Sequence, residues 1–565
     1  METLYIVLHL VTRATRDDGL AFVVDLEHQF GGLGLAVPEQ LLEYERHVVH
    51  EVDRIVPDHR DPRPVDGCGL LDGLGLGRDC LARCHHADVE LTCRGPRHHE
   101  VQGTTSARVE KPARGPPIYS VRVSEATAAA IPGSTALFTD KYELTMLEAA
   151  LADGSGDRPC VFEVFARRLP SGRRYGVVAG TGRLLDALAT FTFGESELAS
   201  VSEFLAPGTV EWLRNFRFSG DIDGYREGDF YFPGSPILSV SGTFAECVLL
   251  ETLVLSIFNH DSAVASAAAR MVSVADGRTL IEMGSRRTHE EAAVAATRAA
   301  YLAGFDSTSN LEAARRFGIP AAGTAAHAFT LLHTTSAGRD EASAFRSQVE
   351  TLGVDTTLLV DTYDITAGVN TAIEVAGPGL GAVRIDSGDL GVLARQVRRQ
   401  LDGLGATRTK IVMSGDLDEY GIAGLRAEPV DAYGVGTSVV TGSGAPTAGM
   451  VYKLVEVAGI PVEKRSAAKE SRGGAKKAVR YARRSGTLVE EVVYPADLGR
   501  IPDGDGSVVY DLMVPLVREG RPVEGLPTLE DSRRFLAQGM VSLPWEGMTL
   551  SAGDPAIPTR FVRAR

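Results

Sequence analysis

Two carboxylates stand three residues apart in AVRIDSGDLG (382–391), directly after a run of strand-forming residues. With only Ser387 and Gly388 between them, Asp386 and Asp389 occupy a turn with little side-chain bulk. Ionised carboxylates there accept hydrogen bonds from vicinal hydroxyls or hold a magnesium ion beside phosphate. The same residues suit a helix cap, or a paired-carboxylate hydrolase in which one acid has a raised pKa. SGDLDE (414–419) and GVGTSVVTGSG (434–444) suit phosphate, because small residues let backbone N–H groups approach an anion and a following helix places its positive end there. Neither is a Walker A sequence, and with DSGD they point to a phosphorylated sugar rather than a free nucleotide. Arg286 and Arg287 in GSRR (284–287) have the donor geometry to take a carboxylate or phosphate, or to form surface ion pairs. His327 in GTAAHAFTLLH (323–333) lies six residues before His333, a spacing that does not put both on one helix face as a metal pair. It reads as a buried hydrogen-bonding histidine or as a nucleophile that accepts a phosphoryl group.

Chemistry at these positions requires a scaffold that gathers them. Between residues 279 and 457, runs suited to buried strands recur: TLIEM (279–283), PAAG (320–323), TLLVD (357–361), AVRID (382–386), KIVMS (410–414), VDAYG (430–434) and YKLVEV (452–457). Helix-compatible segments separate most of them, among them 289–304, 309–318, 390–405 and 418–427. This βα rhythm predicts an α/β fold with an irregular barrel, with an open doubly wound sheet as the runner-up. The polar groups, Asp361 included, follow the strands, where a barrel builds its active site. Upstream, LFTDKYELTMLEAALADG (137–154) predicts a helix capped by Thr139 or Asp140 and stopped by Gly154. CVFEVFARRLP (160–170) predicts a strand, 201–242 short β-prone pieces, and 243–275 a long buried helix. The domain reading is an atypical, poorly structured extension over 1–134, an N-terminal α/β and helical portion over 135–275, the barrel over 276–460, and a C-terminal segment packed on the body over 461–565.

The chain has 565 residues and a net charge of -16, without the positive footprint that nucleic-acid binding uses. The apolar start METLYIVLHL lacks a secretory pattern, no run is long enough to span a membrane, and six cysteines suit a reducing cytoplasm. Four of those cysteines and nine of the thirteen histidines lie in the first hundred residues. DCLARCHH offers Cys80, Cys84, His85 and His86 as a zinc cluster, although the spacing matches no strong ligand pattern, and a poorly structured extension or a start assigned too far upstream is the favoured reading.

From about residue 136 to 466 the chain resembles the nicotinate phosphoribosyltransferases, enzymes of the type II phosphoribosyltransferase fold. The segments that carry the resemblance are TDKYELTM (139–146), FEVFARRLP (162–170), EMGSRR (282–287), GFDSTSNLEAARRFGIPAAGTAAHAF (304–329), IDSGDL (385–390), SGDLDE (414–419), GVGTSVVT (434–441) and YKLVEVAGIPVEKRS (452–466). The resemblance implies an N-terminal α/β domain joined to the barrel. It also implies synthesis of nicotinate mononucleotide from nicotinate and 5-phosphoribosyl 1-pyrophosphate, coupled to ATP and magnesium, in a homodimer with shared sites. Carried over, Tyr142 stacks on the pyridine ring. Arg286, with Ser285 and Arg287, orients the nicotinate carboxylate. Asp386, Ser387, Gly388 and Asp389 serve the ribose and the magnesium pyrophosphate, with Asp389 as metal ligand. Gly415, Asp416, Gly434, Gly436 and Thr437 cradle the 5-phosphate, while Thr324 lines the substrate site and His327 becomes a phosphohistidine. Ile385 departs from the family, whose members often have histidine before DSGD, and Lys469 and Arg472 offer phosphate contacts in a divergent loop. A nicotinamide or quinolinate enzyme and a non-catalytic ligand-binding homologue are the alternatives.

Overall fold

The computed structural model describes residues 133–464, 472–499 and 508–562, and upstream the backbone of two antiparallel strand pairs. The chain divides into two compact units, 1–123 and 124–565. In the first, Leu10–Ala14 pairs with Leu20–Val24 and Cys80–His85 with Asp88–Cys93. The side chains of the cysteine and histidine cluster lie outside the described residues.

The second unit is built on a parallel sheet of six short strands: β1 (Thr279–Glu282), β2 (Ser307–Thr308), β3 (Thr357–Leu359), β4 (Ala382–Ile385), β5 (Lys410–Ser414) and β6 (Ala432–Val435). Their order is β2-β1-β6-β5-β4-β3, and every pairing is parallel. The sheet forms strands here because its runs are apolar on both faces; Leu280, Leu358, Val383, Ile411 and Tyr433 are buried on one and Leu359, Val412 and Ala432 on the other. PAAG supplies only a single parallel bridge, Thr308 to Ala321, and no ladder joins this segment to β3. The result is the irregular α/β barrel expected, open along one seam.

YKLVEV is a strand, but not of this sheet. Met450–Val457 pairs antiparallel with Pro159–Ala166 in a seven-stranded sheet that also contains Leu238–Thr243, Asp221–Gly224 and Val514–Arg518. A smaller sheet orders Val508–Asp511, Lys476–Ala482, Leu488–Pro495 and Thr559–Phe561. The stretch 201–242 is less β-rich than its glycines and prolines suggest. Helix Pro207–Arg214 occupies its first part, just after helix Glu195–Val201 ends, and is started by Pro207 at a position where a missing N–H costs nothing. The long helix also differs: Thr243 and Glu246 form a reciprocal cap on a short helix, Phe244–Val248, before the main one begins at Glu251.

Helices used below are α1 (Lys141–Asp153), α2 (Glu251–Val274), α3 (Glu290–Ala303), α4 (His327–Leu332), α5 (Leu390–Gly403), α6 (Glu419–Gly424) and α7 (Thr437–Val440). The first half of α2 buries Leu253, Val254, Ile257 and Phe258 in the core under the antiparallel sheet. Its second half buries Val264, Ala265, Ala268 and Met271 in the barrel core, where its small side chains lie against the alanine-rich α3. Buried ion pairs fasten these layers. Arg298 of α3 donates to both oxygens of Glu227 at 2.7 and 2.8 Å, and the Gly180 N–H donates to the same carboxylate at 2.7 Å. Both side chains are 7% exposed, so removing one partner strands a charge. Glu227→Ala is expected to destabilise the protein by about 3–5 kcal/mol; an unchanged urea midpoint would contradict the fastening role.

Candidate active site

Parallel pairing places the C-terminal ends of neighbouring strands side by side, and the polar residues singled out in the sequence follow those ends. Beyond β1 come Met283, Gly284, Ser285, Arg286 and Arg287. Glu282, 1% exposed, is the buried anchor of this corner: its carboxylate accepts from the Thr297 and Thr308 hydroxyls at 2.8 and 2.6 Å and from the Gly284 N–H. Asn310, after β2, donates to the Ser285 hydroxyl at 3.0 Å while its oxygen caps the next helix through the Ala313 N–H. The Arg286 and Arg287 side chains are exposed, and neither guanidinium has a partner among the described residues. They are available cations rather than members of surface ion pairs.

At the opposite end of the sheet, Asp361 after β3 is the centre of a second corner. Its side chain is 1% exposed, and Oδ2 accepts from the Asp386 N–H and the Ser387 hydroxyl, both at 2.8 Å. Oδ1 is buried with no hydrogen-bond partner and lies 3.8 Å from Nε2 of His327. The other ring nitrogen of His327 pairs with the Thr362 hydroxyl at 3.1 Å. His327 is the first residue of α4, half exposed rather than a satisfied core histidine. Arg384, inside β4, donates to the Ala325 carbonyl at 3.3 Å and keeps its Nε without a partner. These polar contacts bridge the seam that the ladder leaves open. Thr324 is exposed on the same approach.

The DSGD turn itself divides its labour. Asp389 is the N-cap of α5, Oδ1 accepting from the Val392 N–H at 3.0 Å, which leaves Oδ2 free. The Asp386 carboxylate is exposed, with no partner among the described residues. Gly388 has φ +88°, a backbone conformation that favours glycine. Ile385 is wholly buried at the end of β4 and offers the turn no polar contact. Gly415, at φ +115°, lies so close to β4 that a Cβ there would sit 2.4 Å from the Asp386 carbonyl oxygen. Asp416 follows in the left-handed region at φ +48°, its side chain exposed.

Two assignments change, and a third residue lies away from the strand ends of its own chain. Gly434 does not follow its strand: it is buried within β6, paired with Ile281 and Ser414, and a Cβ there would meet the Met283 sulfur at 2.7 Å, so it serves packing. Gly436 and the exposed Thr437 are the residues at the strand end. Arg472 holds its guanidinium 3.8 Å over the Phe561 ring, and Lys469 lies outside the described residues. Tyr142 sits on α1, 45% exposed, and its described neighbours are Glu251 and Glu143 rather than the strand ends. Burial and those carboxylates push its phenol up to about 12, so the ring is neutral. Sequence reasoning missed Glu282, Asn310 and Arg384, and named Asp361 only as a strand-end residue. A carboxylate closing the apolar run TLLV was the available signal for Asp361.

Among the described residues no three His, Cys, Asp or Glu side chains gather as a resident metal would need, and no helix is long and apolar enough to cross a membrane. A magnesium ion carried mainly by phosphate oxygens and water, and touched by one or two carboxylates, fits the free oxygens of Asp386 and Asp389. A cavity of about 690 Å3, lined by Thr181, Arg226, Arg298, Phe317 and Leu526, contains none of the strand-end residues.

Comparison with known proteins matches residues 137–259 to the nicotinate phosphoribosyltransferase N-terminal domain. Nicotinate phosphoribosyltransferase pncB1 of Mycobacterium tuberculosis is 66% identical over 435 residues, covering 76% of this chain and 95% of the relative. The nicotinate phosphoribosyltransferase of Bacillus subtilis is 39% identical over 335 residues, covering 57% of this chain and 67% of the relative. Among solved structures, human nicotinic acid phosphoribosyltransferase superposes with a TM-score of 0.64 at 25% identity, covering 75% of this chain and 97% of the other. Nicotinate-nucleotide pyrophosphorylase from Pyrococcus furiosus gives 0.61 at 25% identity, with 74% and 98% covered. At this identity and coverage, the chain belongs to the nicotinate phosphoribosyltransferase family.

Proposed function

We infer that this protein transfers the phosphoribosyl group of 5-phosphoribosyl 1-pyrophosphate to nicotinate, releasing pyrophosphate and forming nicotinate mononucleotide for NAD salvage. The observation that carries the reading is the row of strand ends in a chain of this family: free guanidiniums after β1, free carboxylates after β4, and tight glycine turns after β5 and β6. Arg286 pairs with the nicotinate carboxylate, and Ser285, held by Asn310, fixes the ring's edge. Asp386 and Asp389 take the ribose hydroxyls and the pyrophosphate end. Backbone N–H groups at Gly415, Asp416, Gly436 and Thr437 hold the 5-phosphate. Magnesium, when bound at the two carboxylates, neutralises charge on the departing pyrophosphate.

The pyridine nitrogen attacks C1 of the ribose as the bond to pyrophosphate breaks, and it carries no proton to remove. The site therefore has no need of a strong general base; it must orient the ring and stabilise charge. ATP coupling runs through His327, whose ring takes the γ-phosphoryl group of ATP and releases ADP, water later cleaving the phosphoramidate to phosphate. Asp361 stabilises the positive charge the imidazole gains, and Arg384 lies close enough to the 325–327 backbone to balance the added phosphoryl group. Because Asp361 also holds the DSGD turn, phosphorylation at His327 and sugar binding share one carboxylate. The protein works as a homodimer: Tyr142 and Met146 share one face of α1 and, with Leu137 and Phe138 before it, leave an exposed apolar surface suited to a second copy. In that dimer Tyr142 stacks on nicotinate in the neighbouring site.

The deciding assay offers nicotinate and nicotinamide separately with 5-phosphoribosyl 1-pyrophosphate, magnesium and ATP, and measures mononucleotide and ADP together. Wild-type protein should convert nicotinate with ADP release, and His327→Asn should keep uncoupled product formation while losing the ADP; nicotinamide as the better substrate, or coupling that survives the substitution, refutes the assignment. Asp389→Asn preserves a competent N-cap, so the fold should survive while the KM for the sugar substrate rises about tenfold and magnesium dependence weakens. Wild-type kinetics across magnesium concentrations would reject that role. Light scattering should read two chains per particle, and Tyr142→Ala should raise the KM for nicotinate; a fully active monomer would rule out the shared site.

A further inference from the structure

Behind the turns that follow β5 and β6 lies a buried ion network that belongs to no role assigned above. Glu419 is the first residue of α6, three positions beyond Asp416, and is 2% exposed. Its Oε1 accepts from Arg173 Nη1 at 2.8 Å and Arg270 Nε at 3.0 Å, and its Oε2 from the Ser443 hydroxyl at 2.6 Å. Arg173 continues to the Gly442 carbonyl at 2.7 Å. Four separate pieces of chain thus meet at one carboxylate: the turn after β5, the turn after α7, the long helix α2, and the loop carrying Arg173. Burial alone would push the Glu419 carboxyl up, yet Ser443 and the two guanidiniums hold it below the usual carboxylate range.

The turn after α7 requires such an anchor. Gly442, Ser443 and Gly444 have φ of +61°, +49° and +79°, three successive residues in the left-handed region, and Ser443 has a Cβ that disfavours it. A Cβ on Gly442 would lie 2.3 Å from the Ala445 carbonyl oxygen. The hydroxyl of Ser443 and the carbonyl of Gly442 are the groups that Glu419 and Arg173 grip. The network also contains two guanidiniums and one carboxylate, so it is one positive charge in excess. Both guanidiniums and the carboxylate are buried, so that excess is poorly screened by water.

We propose that Glu419, clamped by Arg173 and Arg270, is the positioning residue for the phosphoribosyl substrate: it ties the turn after β5 to the Gly442–Gly444 turn that ends α7, the short helix begun by Thr437, and through that helix holds the turn after β6 in one rigid cradle whose supporting network carries surplus positive charge suited to a dianionic 5-phosphate. The proposal rests on the reading that Gly415–Asp416 and Gly436–Thr437 hold that phosphate. Glu419 touches no substrate; it acts through the start of α6 on the turn after β5, and through the Gly442–Gly444 turn and α7 on the turn after β6.

Steady-state kinetics of the full-length protein separate this role from general support of the fold. Glu419→Gln should raise the KM for 5-phosphoribosyl 1-pyrophosphate about tenfold with the KM for nicotinate unchanged, and Ser443→Ala, which removes one hydrogen bond, about threefold. If Glu419→Gln does not fold, Ser443→Ala carries the test alone. A fall in kcat or in active fraction with both KM values unmoved, or the two KM values rising together, overturns the proposal. Thr437→Pro, which removes the N–H at the first position of α7 where proline is tolerated, tests the underlying reading: if it raises the sugar-substrate KM while Glu419→Gln and Ser443→Ala do not, only the clamp fails; if it too leaves that KM unchanged, the cradle and the clamp fall together.

Discussion

Parallel strand pairing is the constraint on which this site depends. In a parallel sheet every strand finishes at the same edge, so five short ladders among six strands suffice to align Ser285, Asp361, Asp386, Gly415 and Gly436 along one rim. Their positions in the chain are far apart, and only the registers bring them together. The closeness is steric as well as topological. Gly415 must lack a side chain because the Asp386 carbonyl occupies that space, and Gly284 must because Val440 and the Gly436 carbonyl do. A rim this tight holds its polar groups by backbone packing before any ligand arrives, which is the preorganisation that electrostatic catalysis needs.

Two buried carboxylates then fix the corners. Glu282 collects two threonine hydroxyls and the Gly284 N–H; Asp361 collects the Asp386 N–H and the Ser387 hydroxyl. Each keeps its charge out of water by accepting several hydrogen bonds, and each thereby dictates the shape of the strand-end turn it holds. Asp361 differs in retaining one oxygen unpaired toward His327. An unpaired buried carboxylate oxygen is costly by itself, and it is relieved when the facing imidazole becomes positively charged.

The strand runs TLIEM, TLLVD, AVRID, KIVMS and VDAYG were legible because a strand buried on both faces is continuously apolar, a pattern that survives without knowledge of its partners. The polar residues closing them were legible for the same reason. YKLVEV was placed in the barrel since its chain position continued the rhythm, although the alternation of Tyr452 and Lys453 already marked a strand with one face toward solvent. Its partner, Pro159–Ala166, lies some three hundred residues upstream, and nothing local announces such a pairing. Gly434 was placed in a phosphate loop because a glycine near a strand end looks the same whether the strand stops before it or after it. The Glu419 network was illegible: its members Arg173, Arg270 and Ser443 come from separate elements, and only the folded chain makes neighbours of them.

The helix α2 carries a consequence for how this body comes apart. One continuous run of 24 residues places its first turns in the core beneath the antiparallel sheet and its last turns in the barrel core. Neither core can be opened without stripping apolar side chains from the shared rod, whose backbone hydrogen bonds then lose their shelter at both ends. Size alone would let a chain of this length melt in stages; the shared helix makes the two halves cooperative, so heat or denaturant takes the strand-end rim and its supporting sheet together.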